Sequence, residues 1–243
     1  MRLSRTTKVF VIGATLLVIT LVAIAGAWLW FGAGDAPESF EASESLTDSE
    51  VIEDAAAEPI DLDGTWQVAL DPATDGGVGY RILEDLPIGG PEEIAGRTTG
   101  VSGTIDLAGS TLERADLEVD MTTLDSGNGL RDDIVRDRYL QTDQFPTATI
   151  SIDQPTPFEL PAEAGELVEV SLPVVLTVHG VSQPVLSDAQ GQWATRPDGL
   201  VIEVTGTIDT TLAAFDVERP DLAGRTARED VSIEFKLTFV PTP

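Results

Sequence analysis

The densest group of ionisable side chains lies in residues 131–138, where three arginines and three aspartates occur within eight positions. Paired acids such as Asp132 and Asp133 could serve acid–base catalysis, but adjacent residues of a helix point in different directions, and no nucleophile or second base lies nearby in the sequence. A calcium loop would need a closing glutamate about twelve residues after its start, and only a start, Asp125–Asn128, is present. The favoured interpretation is a charged outer helical surface. No catalytic residue and no metal ligand is predicted, and a carboxylate-dependent hydrolase is the least favoured alternative.

The rest of the sequence offers little for chemistry. Cysteine is absent, which excludes disulfides, thiolate nucleophiles and cysteine-ligated metals. The single histidine, His179 in LTVHGV, is more consistent with a turn or surface residue than with a metal ligand. A net charge of -28 argues against a nucleic-acid partner. We therefore expect a protein that is not an enzyme and needs no cofactor.

The N-terminal residues 1–31 have the pattern of a membrane anchor. Arg2, Arg5 and Lys8 precede an apolar run over residues 9–31, which is long enough to cross a bilayer as a helix. The positive flank predicts a cytoplasmic N-terminus, a single pass through the cell membrane and an extracytoplasmic remainder. Small residues at 25–27 leave a cleaved signal sequence as the alternative.

Residues 32–59 are predicted to be a disordered linker between this anchor and a folded domain of residues 60–243. The linker carries nine acidic and no basic side chains, and it has too few large apolar residues to fold alone. Like charges along such a chain repel and extend it.

From residue 62 onward, apolar and polar residues alternate with period two, which indicates β-strands with one buried face. Examples are Trp66–Leu70, Leu117–Met121 and Leu172–Val178. Turn signals such as Gly89–Pro91 separate the runs. The pattern predicts an all-β domain of about eight antiparallel strands, closed as a barrel or folded as a sandwich.

One short helix should interrupt the strands after residue 129. Asn128 or Asp125 could cap its N-terminus, and apolar residues from Leu130 onward suit a helix with one buried side. Asp132 and Arg136 lie four positions apart, so we expect them to attract each other.

The run TTLDSGNGLRDDIVRDRYLQTDQFPTATISI and the later LPVVLTVHGVSQPVLS resemble the YceI-like, polyisoprenoid-binding family. The residues that match the family pattern are Asn128, Arg131, Asp132, Phe145, Pro146 and Gly180. The resemblance implies a lipocalin-like, eight-stranded antiparallel barrel whose apolar lumen holds a long isoprenoid, such as a polyprenyl compound or a quinone tail. It also implies a structural role for the charged segment: the helix covers one end of the barrel, and Arg131 and Asp132 bond it to the wall.

The candidate lumen residues are the inward positions of the alternating runs. They are Leu117, Val119, Met121, Ile150, Leu176, Val178, Ile202, Phe235 and Leu237. Tunnel lining and packed core both demand apolar side chains, so the sequence leaves open which role each residue has. The alternative to a lipid carrier is an envelope-stress or protein-interaction module whose barrel is filled by its own side chains.

Overall fold

The computed structural model describes residues 36–43, 60–70, 76–197, 199–222 and 224–243. The chain divides into compact units of Met1–Asp35 and Ala36–Pro243, and the described residues all belong to the second. Within these ranges, no helix is long and apolar enough to cross a membrane. The predicted anchor at 1–31 lies outside the described residues, as does most of the predicted linker.

The second unit is built almost entirely from β-strands. They are β1 Gly64–Val68, β2 Gly77–Asp85, β3 Pro91–Thr98, β4 Val101–Ala108, β5 Thr111–Asp120, β6 Thr147–Ile152, β7 Thr156–Pro157, β8 Val168–Val178, β9 Val181–Arg196, β10 Gly199–Thr211, β11 Asp221–Leu222 and β12 Arg225–Pro241. The helical segments are a 3₁₀ turn at Met121–Thr123, the helix α1 at Gly129–Ile134, its π-helical continuation Val135–Tyr139, and a 3₁₀ turn at Leu212–Phe215.

Eight strands close into an antiparallel barrel in the order β1-β4-β5-β6-β8-β9-β10-β12. The ring closes at β1, where Trp66 pairs with Ile105 of β4 on one side and with Pro241 of β12 on the other. This confirms the predicted all-β, eight-stranded barrel with one short helix. Closure leaves the ring without an open edge.

The β2–β3 hairpin lies outside this ring and extends the sheet from β12. The strand β12 pairs with β2 along Thr226–Lys236 and with β1 along Phe239–Pro241, so two strands share one of its edges. At the far side of the hairpin, Arg97 and Asp125 form an isolated antiparallel bridge with N–O distances of 2.8 and 2.9 Å. The hairpin is thereby joined to the segment that leads into α1.

The inward side chains form one main hydrophobic core, in which Leu176, Ile208 and Leu237 are almost completely buried. A second, smaller cluster of Ile82, Ile94 and Ala227, with Tyr80 against it, lies under the β2–β3 hairpin. Each fully buried aliphatic side chain contributes about 1.5–3 kcal/mol relative to exposure, so the barrel interior is the main source of stability.

The helical segment covers one end of the barrel. Asn128 caps α1, because its side-chain oxygen accepts a hydrogen bond from the Arg131 amide at 3.2 Å. At the other end of the segment Tyr139 is 3% exposed and packs in the main core, and its hydroxyl accepts from the Asp221 amide at 3.3 Å. Of the two predicted caps, Asn128 is thus the one the structure uses.

One predicted contact of this segment, the attraction between Asp132 and Arg136, is wrong. Arg136 pairs with Asp133 at 2.9 Å, and not with Asp132, because Asp132 is turned inward. The carboxylate of Asp132 accepts from the Ser126 amide at 3.0 Å and from the Ser126 hydroxyl at 2.6 Å. It therefore stabilises the turn before its own helix. A bond from Arg131 to the barrel wall stays a prediction.

Residues 36–43 lie against the outside of the barrel. Phe40 is 8% exposed, and the Ser43 amide donates to the Glu203 carboxylate of β10 at 2.9 Å. The prediction treated residues 32–59 as one linker, whereas the described part of it is packed on the wall.

Candidate functional site

A cavity of about 90 Å³ lies at the barrel end opposite the helix. It is bounded by the end of β4, the start of β5, the start of β8, the end of β9 and the start of β10, whereas α1 follows the other end of β5. Its lining consists of Leu62, Ile105, Leu107, Leu112, Phe158, Pro161, Val168, Val170, Leu172, Gly191, Trp193, Ile202 and Val204, with Glu159 and Gln192 exposing no polar atom to it. The site is an apolar chamber.

The cavity exists because the side chains are small at one level of the barrel wall. Gly191 faces Val168 on one neighbouring strand and Val204 on the other. Further inside, the ring of Phe235 lies so close to Gly206 that a Cβ atom there would come within 2.6 Å of it. This aromatic side chain is packed in the lumen next to Gly206, deeper in the barrel than the cavity.

The loop of residues 158–167 folds over the cavity and is held there by Trp193. The indole Nε1 donates to the Pro161 carbonyl at 3.0 Å, and the Trp193 carbonyl accepts from the Gly165 amide at 2.9 Å. Within the loop, Glu166 accepts from the Ala162 amide at 2.7 Å. Because Trp193 and Phe158 also line the cavity, movement of the loop would change access to it.

The volume sets a scale for what could bind. One water-sized group needs roughly 10–15 Å³ of such space, so the cavity holds about six to nine groups, or one to two isoprene units. At about 0.8 kcal/mol per methylene, their burial contributes on the order of 5–7 kcal/mol before the cost of association. A longer chain would require side chains of the inner lumen to move.

The structure places the predicted lumen residues inside the barrel, with unequal access to the cavity. Ile202 lies on the cavity lining. The others pack in the main core: Leu117, Val119, Ile150, Leu176, Phe235 and Leu237 as buried residues, and Met121 and Val178 partly buried. Contact between these residues and a ligand stays a prediction.

Phe158 and Trp193 were missed as site residues because neither stands out in the sequence. Phe158 belongs to a loop, and Trp193 is one of several inward residues of a long strand. A cluster of Pro, Glu and Gly at 155–166 signals a loop, but the sequence has no signal that this loop covers a cavity.

The matching family residues build the closed end of the barrel. Gly180 forms the β8–β9 turn with His179; both have positive φ, as in a type I′ hairpin. The Phe145 ring lies over Gly180 and meets the His179 ring edge-on, with ring centroids 4.7 Å apart. The Pro146 carbonyl accepts from the Met121 amide at 2.9 Å. Their role here is to join the helical segment to the strand ends.

Burial shifts the pKa of two titratable side chains at this end of the barrel. Burial raises the pKa of Tyr80 to about 12, with Arg131 acting against the rise and Asp132 adding to it. Burial also raises the pKa of Asp132, aided by neighbouring Asp125 and opposed by the hydrogen bonds from Ser126. Over the described ranges, no group of three His, Asp or Glu side chains could hold a metal ion.

Comparison with known families gives a match to the YceI-like domain over residues 86–239. No curated protein matches the chain. Among solved structures, a polyisoprenoid-binding domain from Saccharophagus degradans, implicated in plant cell wall breakdown, superposes with a TM-score of 0.54 at 19% identity, covering 73% of this chain and 98% of its own.

Two further structures are more distant. BcnA from Burkholderia cenocepacia has a TM-score of 0.47 at 16% identity and covers 66% of this chain and 95% of its own. The YceI protein of Campylobacter jejuni has a TM-score of 0.42 at 18% identity, covering 58% and 83%. At such identities the likeness to the Saccharophagus domain shows a shared fold.

Proposed function

This chain belongs to the YceI-like domain family, and from that premise we propose that it is a lipid-binding protein that holds an isoprenoid chain in its barrel. The observation that carries the proposal is the apolar cavity of about 90 Å³, which exposes no polar atom to its contents. Such a lining offers a ligand burial and shape but no charged contact. An isoprenoid tail, of a polyprenyl compound or a quinone, has matching chemistry.

The binding mode follows from the position of the cavity. The tail enters at the loop of residues 158–167, and the first one or two isoprene units occupy the existing space. A longer tail extends toward the predicted lumen residues beyond Phe235, which then turn from packed core into tunnel lining. The remainder of the ligand lies outside the barrel.

The location proposed for this activity is the outer side of the cell membrane, with residues 1–31 as a single-pass anchor. The support is the positive flank and the length of the apolar run. In this arrangement the protein needs no cofactor and performs no chemical reaction: it binds and shields an apolar chain.

A second candidate function is a protein-interaction module with a filled barrel. It is favoured by one observation: apart from Ile202, the predicted lumen residues pack together in the core. A barrel of that kind would present its acidic exterior to a partner and bind no lipid.

Native mass spectrometry of the full chain, released gently from a bacterial membrane, distinguishes the two. A co-purifying isoprenoid supports lipid binding, and a ligand-free mass that also resists loading with isoprenoid quinone supports the interaction module. Val170→Phe should abolish loading because Val170 lines the cavity. The matched control is Val175→Phe on the outward side of the same strand, which should load normally.

A further inference from the structure

The described part of the acidic N-terminal segment contacts the wall in a regular pattern. Within residues 36–43, Pro37, Phe40 and Ser43 make the contacts to the wall, and Glu38, Ser39 and Glu41 are exposed. Contacts at every third residue are typical of an extended, polyproline-like peptide lying on a surface. The two acidic residues of this stretch thus remain in solvent while its apolar residue is buried.

Ser43 is bound at three of its polar groups. Its amide donates to Glu203 Oε1 at 2.9 Å and its hydroxyl to Glu203 Oε2 at 2.8 Å. Its carbonyl accepts from Gln192 Nε2 at 3.1 Å. Glu203 is 4% exposed and Gln192 is 2% exposed. A buried carboxylate needs donors, and two of the three that Glu203 has here come from Ser43.

The other contacts involve two arginines on the β2–β3 hairpin. The Arg97 guanidinium lies 3.9 Å from the centre of the Phe40 ring, a cation–π contact. Arg81 donates to the Pro37 carbonyl. Glu234 of β12 accepts from Arg81 at 2.9 Å and from Arg97 at 3.4 Å, so a buried carboxylate orients both cations.

We propose that the outer wall formed by β9, β10, β12, β2 and β3 is a peptide-docking groove, and that its ligand is this chain's own segment with the pattern Pro-x-x-Phe-x-x-Ser at residues 37–43. The groove is specific because Glu203 and Gln192 together bind the amide, the hydroxyl and the carbonyl of Ser43. In addition, Arg97, which Glu234 holds in place, covers the ring of Phe40. The β2–β3 hairpin, which the barrel does not need for closure, supplies half of it.

Spin-label distances distinguish a segment docked on the wall from a released one. The chain contains no cysteine, so Glu41→Cys and Glu118→Cys give two unique labelling sites in the full chain. Both residues are exposed, and Glu118 on β5 lies four strands away from β10 around the ring. We expect one narrow distance distribution in the otherwise unchanged chain; a broad one would overturn the proposal.

Variants on both sides of the groove sharpen the test. Phe40→Ala should raise the ratio of released to docked segment by about tenfold to a hundredfold, as expected for a lost buried ring. Glu203→Gln should also broaden the distance distribution. Both carboxylate oxygens of Glu203 accept hydrogen bonds from Ser43, and the substitution replaces one of these oxygens by an NH₂ group, which donates. Ser39→Ala, at an exposed position of the segment, should leave it narrow. Equal distributions in Phe40→Ala and Ser39→Ala would contradict the groove.

Dilution of the labelled chain with unlabelled chain shows whether the groove is occupied by the segment of the same molecule or of another copy. A distance that persists in a large excess of unlabelled chain shows docking within one molecule, whereas one that disappears shows exchange of the segment between copies and overturns the proposal. The measurement involves no lipid, so its outcome is independent of the proposed lipid binding.

Discussion

At the residue scale, Gly180 shows how one family residue serves the fold. Its φ is +75°, and a Cβ atom would lie 2.6 Å from the Phe145 ring. Gly180→Ala therefore adds both backbone strain and a steric clash, and we expect a loss of about 2–3 kcal/mol in the free energy of unfolding, measured in urea.

Gly109→Ala provides the control for this substitution. Gly109 also has a positive φ, +57°, but nothing lies within 4 Å of its Cβ position. Gly109→Ala should therefore lower the free energy of unfolding only through backbone strain, by about 1 kcal/mol. If both substitutions lower the free energy of unfolding by the same amount, the packing of Phe145 on Gly180 contributes nothing to stability.

Tyr80 gives a second prediction at this scale, because burial raises its pKa to about 12. The chain has two tyrosines, so Tyr139→Phe leaves Tyr80 as the only phenol that titrates. Absorbance at alkaline pH should show ionisation near 12 in the folded protein and near 10 in urea. Since the folded pKa lies above the unfolded one, the stability that neutral Tyr80 contributes is present below pH 10 and is lost as the pH rises through about 12. A midpoint near 10 in the native protein would contradict its burial.

Asp132 should also make stability depend on pH, with the opposite sign to most aspartates. Its pKa is raised by burial above the ordinary 3.8, so the protonated form is favoured in the folded state. The contribution to stability is complete below pH 3.8 and is lost as the pH rises through the folded pKa. Urea titrations at several pH values should show Asp132→Asn gaining stability relative to the unchanged chain as the pH rises above 3.8. A difference that stays constant with pH would refute this assignment.

At the element scale, we expect the loop of residues 158–167 to control access to the cavity, because Phe158, Glu159 and Pro161 lie on its lining. Trp193→Phe keeps an aromatic ring on the lining and removes the hydrogen bond to the Pro161 carbonyl. A neutral hydrogen bond contributes about 1 kcal/mol, so a bound isoprenoid should dissociate about fivefold faster, as followed by stopped-flow exchange. Affinity should fall by the same factor if the association rate is unchanged. An unaltered dissociation rate would mean that the loop does not gate the site.

Alternation in the sequence predicts the strands well but not which end of the barrel is open. Leu172 and Leu176 follow the same inward pattern on β8, yet Leu172 borders the cavity and Leu176 is packed. The difference arises from side chains on other strands, such as Phe235 opposite Gly206, and depends on strand register. Composition hides the docked segment in a similar way, because the nine acidic residues of 32–59 outnumber the three residues that touch the wall.

At the scale of the whole molecule, the sequence predicts the closed barrel and its capping helix, and not the additional hairpin. Strands β2 and β3 do not alternate regularly, since three consecutive residues of each are buried, at 77–79 and 94–96. Their place outside the ring is decided by pairing with distant strands, which local sequence patterns do not show. The structure places them beside β12 and outside the ring, where Arg81 and Arg97 meet the N-terminal segment. The sequence pattern identifies strands, whereas long-range pairing decides their order.

The shared edge of β12 also bears on how the protein is made. Among the described strands this one comes last in sequence, yet it pairs with β10, with β2 and with β1, which comes first among them. A polypeptide synthesised from its N-terminus therefore cannot complete the barrel until residues 225–241 have left the ribosome. Until then β1 and β10 each lack a neighbour, and their open edges are the sites at which an incomplete chain would aggregate or be held by a chaperone.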